Sequence, residues 1–391
     1  MTAPPLDGAV AHARDEQPWP PARRAWTAVS IIALSLVFLQ VDKGVVGFLV
    51  EPMKRDFGAI DAEMSLLLGL APVLFYAFVG LPMGRLADRY PRNIVLAAGV
   101  FGIGLFTMFC GLAQSFRQLF FFRMFTGTAE TVHGPTSYSM MADYFPPAKL
   151  PRAIGAIQFG AMAGIALAQV VGGALVTLAL AWPAMQLAGI GTLHGWQYVF
   201  LLAGLPGLLV ALMIRLVPEP PRRGLVAGGA RALPFAAMWA EVRQRRRIYL
   251  PMFLALALTS LDFGGILPWR AAFWQREYGW SPARIGAWNG ASTLAFSTIG
   301  VLYGAWLAER LSRRHPNGLL RAQMLNYACG CPFMVASPLM PTAELSILSA
   351  GVAALFSSAG AIPQISALQI VTPNAMRGQI SAVWLFMFTV V

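Results

Sequence analysis

Four ionisable residues stand inside long apolar runs of this 391-residue chain: Asp42 and Lys43 in one run, Arg123 and Glu130 in another. Charge within an apolar helix is costly, so such residues pair with one another or mark a path for protons, ions or charged solutes. Arg123 and Glu130 are seven positions apart, which on a helix sets them on one face about 10 Å from each other. His133, three residues beyond Glu130, neighbours it on the same surface. A buried carboxylate resists ionisation while a nearby cation favours it, so Asp42 or Glu130 can load and release a proton as its surroundings change. Arg123, Lys43 and His133 together make the cluster net cationic, which suits an anionic or zwitterionic solute. The alternative is a static network of ion pairs holding two helices together. Asp262, in a later run beside Trp269 and Arg270, can complete the cluster, or it caps a kink at Gly264-Gly265. Asn289 and Gln364 are polar positions in two further runs, open to solute contact or to helix–helix bonding.

Other chemistries find no support. The cysteines Cys110, Cys329 and Cys331 have neither disulfide nor zinc spacing, and His12, His133, His194 and His315 are scattered. No Lys follows a Gly, so the phosphate-cradling loop of nucleotide-driven pumps is missing. Without a nucleophile, metal cluster or cofactor motif the chain reads as a non-enzyme that needs no cofactor. The net charge of +12 could suggest nucleic acid, but the basic residues sit in short clusters between apolar runs rather than on one solvated face.

The elements that must position these groups are membrane helices. The chain is 57% hydrophobic and only 12% charged, too little polar surface for a soluble domain, where about a quarter of residues are charged. Runs long enough to cross the hydrocarbon, about 20 residues each, fall near 26–50, 63–84, 93–113, 118–141, 153–180 and 196–217. A second group falls near 248–269, 283–308, 319–340, 344–365 and 378–391. Residues 1–25 form a polar tail, and 218–247, with Pro218, Pro220, Pro221 and the run Arg243 to Arg247, form a basic linker between two halves. Lys and Arg collect in the tail, the linker and alternate loops, which sets that side and the N-terminus in the cytoplasm. Trp274, Tyr278 and Trp280 are assigned to the aromatic belt on the other side. Arg far exceeds Lys (only Lys43, Lys54 and Lys149), a composition that hints at a GC-rich bacterial source and hence a bacterial inner membrane.

The halves repeat. Leu86-Ala87-Asp88-Arg89 through Arg92 is echoed by Leu307-Ala308-Glu309-Arg310 through Arg313, and Gly80 and Gly84 by Gly300 and Gly304. Further on, Pro147 and Arg152 are echoed by Pro373 and Arg377. Two like-oriented repeats form a known plan for transporters, with the solute site between them at mid-membrane depth. On that spacing the second half needs a sixth helix beyond Val391, so the expectation is eleven spans with the last truncated and a C-terminal bundle, 248–391, that is incomplete.

Gly80-x3-Gly84 lets a neighbouring helix approach closely, and Asp88 beside Arg89 and Arg92 can form a charge-assisted latch that breaks and reforms. This segment resembles the loop between the second and third helices of the major facilitator superfamily, and the Glu309, Arg310, Arg313 copy stands where that family has one. Arg123-x3-Gly127 resembles a second family motif. Gly160, Gly164, Gly172 and Gly173 resemble a third, without its usual proline. Within the family, Val41-Asp42-Lys43, the stretch Gly69 to Tyr76, Arg123 to Glu130 and Tyr138 to Pro147 are similar to the Spinster-like branch. Lys43 departs from that branch's usual Arg and lacks the bidentate fork.

The resemblance implies an all-α multi-pass fold of two six-helix bundles, 26–217 and 248–391, working by alternating access as a monomer in the lipid bilayer. It implies a secondary transporter, proton-coupled through Asp42 and Glu130 with Arg123 as charge partner. Its cargo would be a small organic anion, a zwitterion or a lysolipid-like amphiphile. Uptake of an organic anion with protons by another branch is the alternative, and a channel is the reading from a different class.

Overall fold

The protein, analysed as a computed structural model, is described at residues 18–72, 90–146, 149–187, 189, 191–221, 235–260, 265–315, 317–372, 380 and 383. Helices dominate. The first part holds α1 (Ala22–Phe48), α2 (Val50–Phe57), α3 (Asp61–Ser65), which runs on through a π-helical turn at Leu66–Leu70, α4 (Arg92–Gly111), α5 (Phe116–Glu130), α6 (His133–Tyr144), α7 (Leu150–Leu180) and α8 (Gly195–Leu216). Between α7 and α8 lies an antiparallel hairpin, β1 (Met185–Leu187) with β2 (Gly191–Leu193). The later part holds α9 (Phe235–Gln244), α10 (Arg246–Ser260), α11 (Arg270–Tyr278), α12 (Pro282–Arg314), α13 (Gly318–Ala336) and α14 (Ala343–Val371). Among the described residues six helical segments are long and apolar enough to cross a membrane: 22–48, 92–111, 155–180, 195–216, 282–314 and 343–361.

Local chemistry sets the boundaries. Ser281 Oγ accepts from Arg284 N at 3.4 Å and Pro282 opens α12, while Thr342 Oγ1 accepts from Leu345 N at 3.4 Å at the start of α14. Gly279, at φ +65°, closes α11 in the left-handed region. The run expected as one span over 118–141 is two helical segments, broken at Thr131 and Val132. The proline at 135 has no N–H for the carbonyl four residues earlier, so the hydrogen-bond ladder lapses there.

Packing divides the described residues into two compact units. The first takes those within Met1–Asp42, Asp56–Gly164 and Trp182–Ala232, the second those within Lys43–Arg55, Ile165–Ala181 and Leu233–Val391. The unit border therefore falls inside α1 and α7, not only in the linker. In the first unit Val29, Ile32 and Phe38 of α1, Leu96 and Val100 of α4, Met140 and Met141 of α6, Ile157 of α7 and Ile214 of α8 share one buried cluster. Gly104 and Gly204 let α4 and α8 touch backbone to backbone, since a Cβ on either would stand 2.8 or 2.5 Å from the other's carbonyl oxygen. In the second unit Gly300 and Gly304 do the same for α12 against Leu355 and Ala359 of α14. Trp274, assigned above to the interfacial belt, is instead core. It is 1% exposed beside Ala271 and Ala272, and its Nε1 donates to Ser346 Oγ at 2.9 Å. Small neighbours leave room for the ring, and α14 supplies the acceptor that a buried indole requires.

Candidate functional site

In the first unit α1 and α5–α6 run antiparallel, and two polar rungs join them. Asp42 and Arg123 form the first: Arg123 Nη1 donates to Asp42 Oδ2 at 3.1 Å, and both side chains are about 5% exposed. The other carboxylate oxygen, Oδ1, accepts from Thr107 Oγ1 of α4 at 2.5 Å. Each oxygen of the buried carboxylate thus has a donor, one cationic and one neutral. That is the condition under which a buried ion pair is tolerated.

Ser35 and His133 form the second rung. His133, 3% exposed, opens α6 at the helix break, and its Nε2 lies 2.6 Å from Ser35 Oγ. Its Nδ1 lies 3.3 Å from Ser137 Oγ, one turn further along α6. Ser35 and Asp42 are seven residues apart on α1, so the rungs share a helix face about 10 Å apart. Neither serine nor Thr107 stands out in the sequence, because hydroxyl residues are common in apolar helices and no spacing marks them. Ser35 and Thr107 are identified only by the partner helix.

Lys43 follows Asp42 but turns about 100° away, and its side chain is exposed. The glycines singled out earlier act at close approaches. A Cβ on Gly127 would fall on the Pro72 carbonyl, one on Gly160 would stand 2.9 Å from the Ala33 carbonyl oxygen, and one on Gly164 2.8 Å from Val37 Cα. Gly172 faces Val45 of α1, and Gly173 faces the carbonyl of Pro282 at the start of α12. Gln364 Oε1 accepts from Tyr327 Oη at 3.2 Å, which makes it an α13–α14 contact, and Asn289 is buried. Asp262 and the side chain of Glu130 lie outside the described residues.

Of the latch expected in the first half, Gly80, Gly84, Asp88 and Arg89 lie outside the described residues, and Arg92 is at the centre of another knot. Arg92 is 3% exposed. Its Nε donates to Glu219 Oε1 at 2.7 Å, Nη1 to Asp143 Oδ2 at 2.5 Å and to Ser139 Oγ at 2.8 Å, and Nη2 to the Pro220 carbonyl at 3.2 Å. Glu219 Oε2 also accepts from Asn93 N at 3.0 Å, and Tyr144 Oη donates to the Pro218 carbonyl. Tyr144 lies beyond the fourth apolar run. Burial, then the Glu219 carboxylate, pushes its phenol up to about 12 against the opposing pull of Arg92. Asp143 and Glu219 were not singled out by sequence, though both stand at or just beyond helix ends. In the second half Glu309 pairs with Arg313 one turn on, both well exposed, and Arg310 lies 5.2 Å from the Trp306 ring centroid.

Among the described residues no three His, Cys, Asp or Glu side chains cluster as metal ligands. The buried groups are a carboxylate paired with a guanidinium, and an imidazole set between two hydroxyls.

A family model described as Major Facilitator Superfamily matches residues 32–391. The chain is 26% identical to an MFS-type efflux pump of Mycolicibacterium smegmatis, over 93% of this chain and 81% of that protein. It is 28% identical to a gallate transporter of Pseudomonas putida, over 94% and 83%, and 27% identical to a D-galactonate transporter of Escherichia coli, over 75% and 69%. Among solved structures, a bacterial homologue of the human lysosomal transporter Spinster, in an inward-facing and unoccupied conformation, superposes with a TM-score of 0.79. Its identity is 26%, and the match covers 95% of this chain and 80% of that one.

Proposed function

The chain belongs to the major facilitator superfamily, and we propose that this membrane transporter couples protons to the movement of a small organic carboxylate. The observation that carries the reading is the buried Asp42–Arg123 pair closed by Thr107. A proton arriving on Asp42 Oδ2 removes the acceptor that Arg123 Nη1 uses, while Oδ1 still accepts from Thr107. Arg123 then has one acceptor fewer for its buried charge, and a solute carboxylate takes the vacated place. Charge is conserved across the exchange: the carboxylate of the solute replaces that of Asp42. Return of the proton to water lets Asp42 reclaim Arg123 and expel the solute. Glu130, seven residues on from Arg123, is the second carboxylate able to trade protons with the same cation, and Lys43 and Asp262 are the further groups proposed to border the path. The latch residues Gly80, Gly84, Asp88, Arg89 and Arg92, with Glu309, Arg310 and Arg313, are proposed to steady the closed state of the cytoplasmic side during alternating access in a bacterial inner membrane.

Similarity to carriers of gallate and D-galactonate, both carboxylates, supports the solute class. Similarity to an efflux pump and to a Spinster homologue supports a second reading, export of an anionic or zwitterionic amphiphile. The test uses proteoliposomes with an internal pH dye and an imposed pH gradient, and offers D-galactonate, gallate and a lysophospholipid separately. The expected result is solute-dependent proton movement with a carboxylate. Asp42→Asn is expected to abolish gradient-driven accumulation while leaving solute exchange at equal concentrations. Accumulation that survives Asp42→Asn unchanged would overturn the coupling role, and a response to the lysophospholipid alone would favour the second reading.

A further inference from the structure

The Ser35–His133–Ser137 rung is not needed for the Asp42–Arg123 exchange, yet it buries a titratable imidazole between two hydroxyls. Its hydrogen-bond geometry fixes the tautomer. Ser35 Oγ lies 2.7 Å from the carbonyl oxygen of Ile32 and 2.6 Å from His133 Nε2. Two oxygens at 2.7 Å repel unless a proton lies between them, so the single hydroxyl proton of Ser35 points to Ile32. The contact to the ring is then made by Nε2–H donating to Ser35 Oγ. The proton that comes and goes must therefore be the one on Nδ1.

Ser137 accommodates both states. Facing neutral His133, its hydroxyl donates to Nδ1. Facing the imidazolium, its oxygen accepts from Nδ1–H, and its own proton turns to the backbone carbonyl one helical turn back, a bond that helical serines readily form. The change of charge costs the rotation of one hydroxyl and leaves every ring nitrogen bonded.

The ionisable groups on the elements around it include two ion pairs. Asp42 and Arg123 pair at 3.1 Å, and Arg92 and Asp143 at 2.5 Å, while Lys43 of α1 is exposed. Tyr138 and Tyr144 lie further along α6, and Glu130, three residues earlier in the chain, is the carboxylate nearest in sequence. From the helical part of α7 only Arg152 is ionisable.

We infer that His133 is a proton-binding site in its own right, separate from Asp42 and Glu130, which takes its proton at Nδ1 with Ser137 as the reversing partner. Its use in transport rests on the proton-coupled reading above, whereas its protonation does not. The test is 15N NMR of the full chain in lipid nanodiscs with imidazole-labelled histidine. The chain has four histidines, and the His133 signals are those lost in His133→Gln. At about pH 8 the expected spectrum is the Nε2–H tautomer, with Nδ1 becoming protonated on acidification between about pH 8 and pH 5, the range over which imidazoles titrate. Ser137→Ala keeps the Nε2 bond but removes the acceptor of the charged form, the stronger of the two bonds lost, so the midpoint should fall by roughly one pH unit. The remaining histidine signals report whether each variant is folded. An Nδ1–H tautomer, a ring that keeps one charge state across that range, or a midpoint unmoved by Ser137→Ala overturns the inference. In Asp42→Asn the titration should persist. Its persistence after loss of solute-driven proton movement would separate this site from the coupling role of Asp42.

Discussion

Replacing Asp42 by Asn, Arg123 by Gln, and then both, measures what the buried pair contributes beyond its separate members. The two charges stand 3.1 Å apart with each side chain 5% exposed. At an effective dielectric of about 20 their attraction is about 5 kcal/mol, and much of it offsets the cost of taking two ions out of water. Either single variant leaves one charge buried without the other, which costs about 3–5 kcal/mol. The double variant buries neither charge, and Asn at 42 can still accept from Thr107, so its loss should be about 1–2 kcal/mol, the scale of neutral hydrogen bonds. The assay is denaturant unfolding of the full chain in lipid nanodiscs followed by tryptophan fluorescence, closed as a double-mutant cycle. A double variant that loses the sum of the singles, about 6–10 kcal/mol by the same reasoning, would refute the coupling and with it the exchange of partners on Arg123.

Three further outcomes follow from the same geometry. Gly127→Ala would set its Cβ on the Pro72 carbonyl, a backbone atom that cannot swing aside, and should destabilise by about 3 kcal/mol or more; Gly155→Ala, which meets nothing within 4 Å, should gain up to about 1 kcal/mol of helix propensity, both read from thermal melts. Arg92→Lys should fail to rescue the loss seen in Arg92→Gln, because an ammonium cannot reach Glu219, Asp143 and Pro220 together as the fork does; equal stability of Lys and Arg proteins in the same melts would count against the knot. The raised phenol of Tyr144 means that the folded protein holds this proton more tightly than the unfolded chain. Its contribution is therefore full below about pH 10, the ordinary phenol value, and is lost as pH rises towards about 12. Tyr144→Phe should remove that part of the alkaline destabilisation, which a pH series of melts will register.

Apolar runs at bilayer length, the near-absence of charge within them and the echo of one loop 221 residues later in the other were enough to indicate a membrane transporter built of helices. These are one-dimensional properties, since lipid demands them of each helix separately. The candidate groups Asp42, Arg123 and His133 were legible for the same reason: charge within an apolar helix is conspicuous. Their partners were not. Thr107 on Asp42, Ser35 on His133, and Glu219 and Asp143 on Arg92 are ordinary residues far off in the chain, and what distinguishes them is the face and height at which one helix meets another. The same holds for Trp274, which reads as an interfacial aromatic until it is seen to be buried with its Nε1 on Ser346 of α14. Hydropathy specifies which segments enter the membrane, because that is a property of composition. Which hydroxyl reaches which charge depends on helix rotation and axial register, and those are fixed only when side chains from several helices pack together.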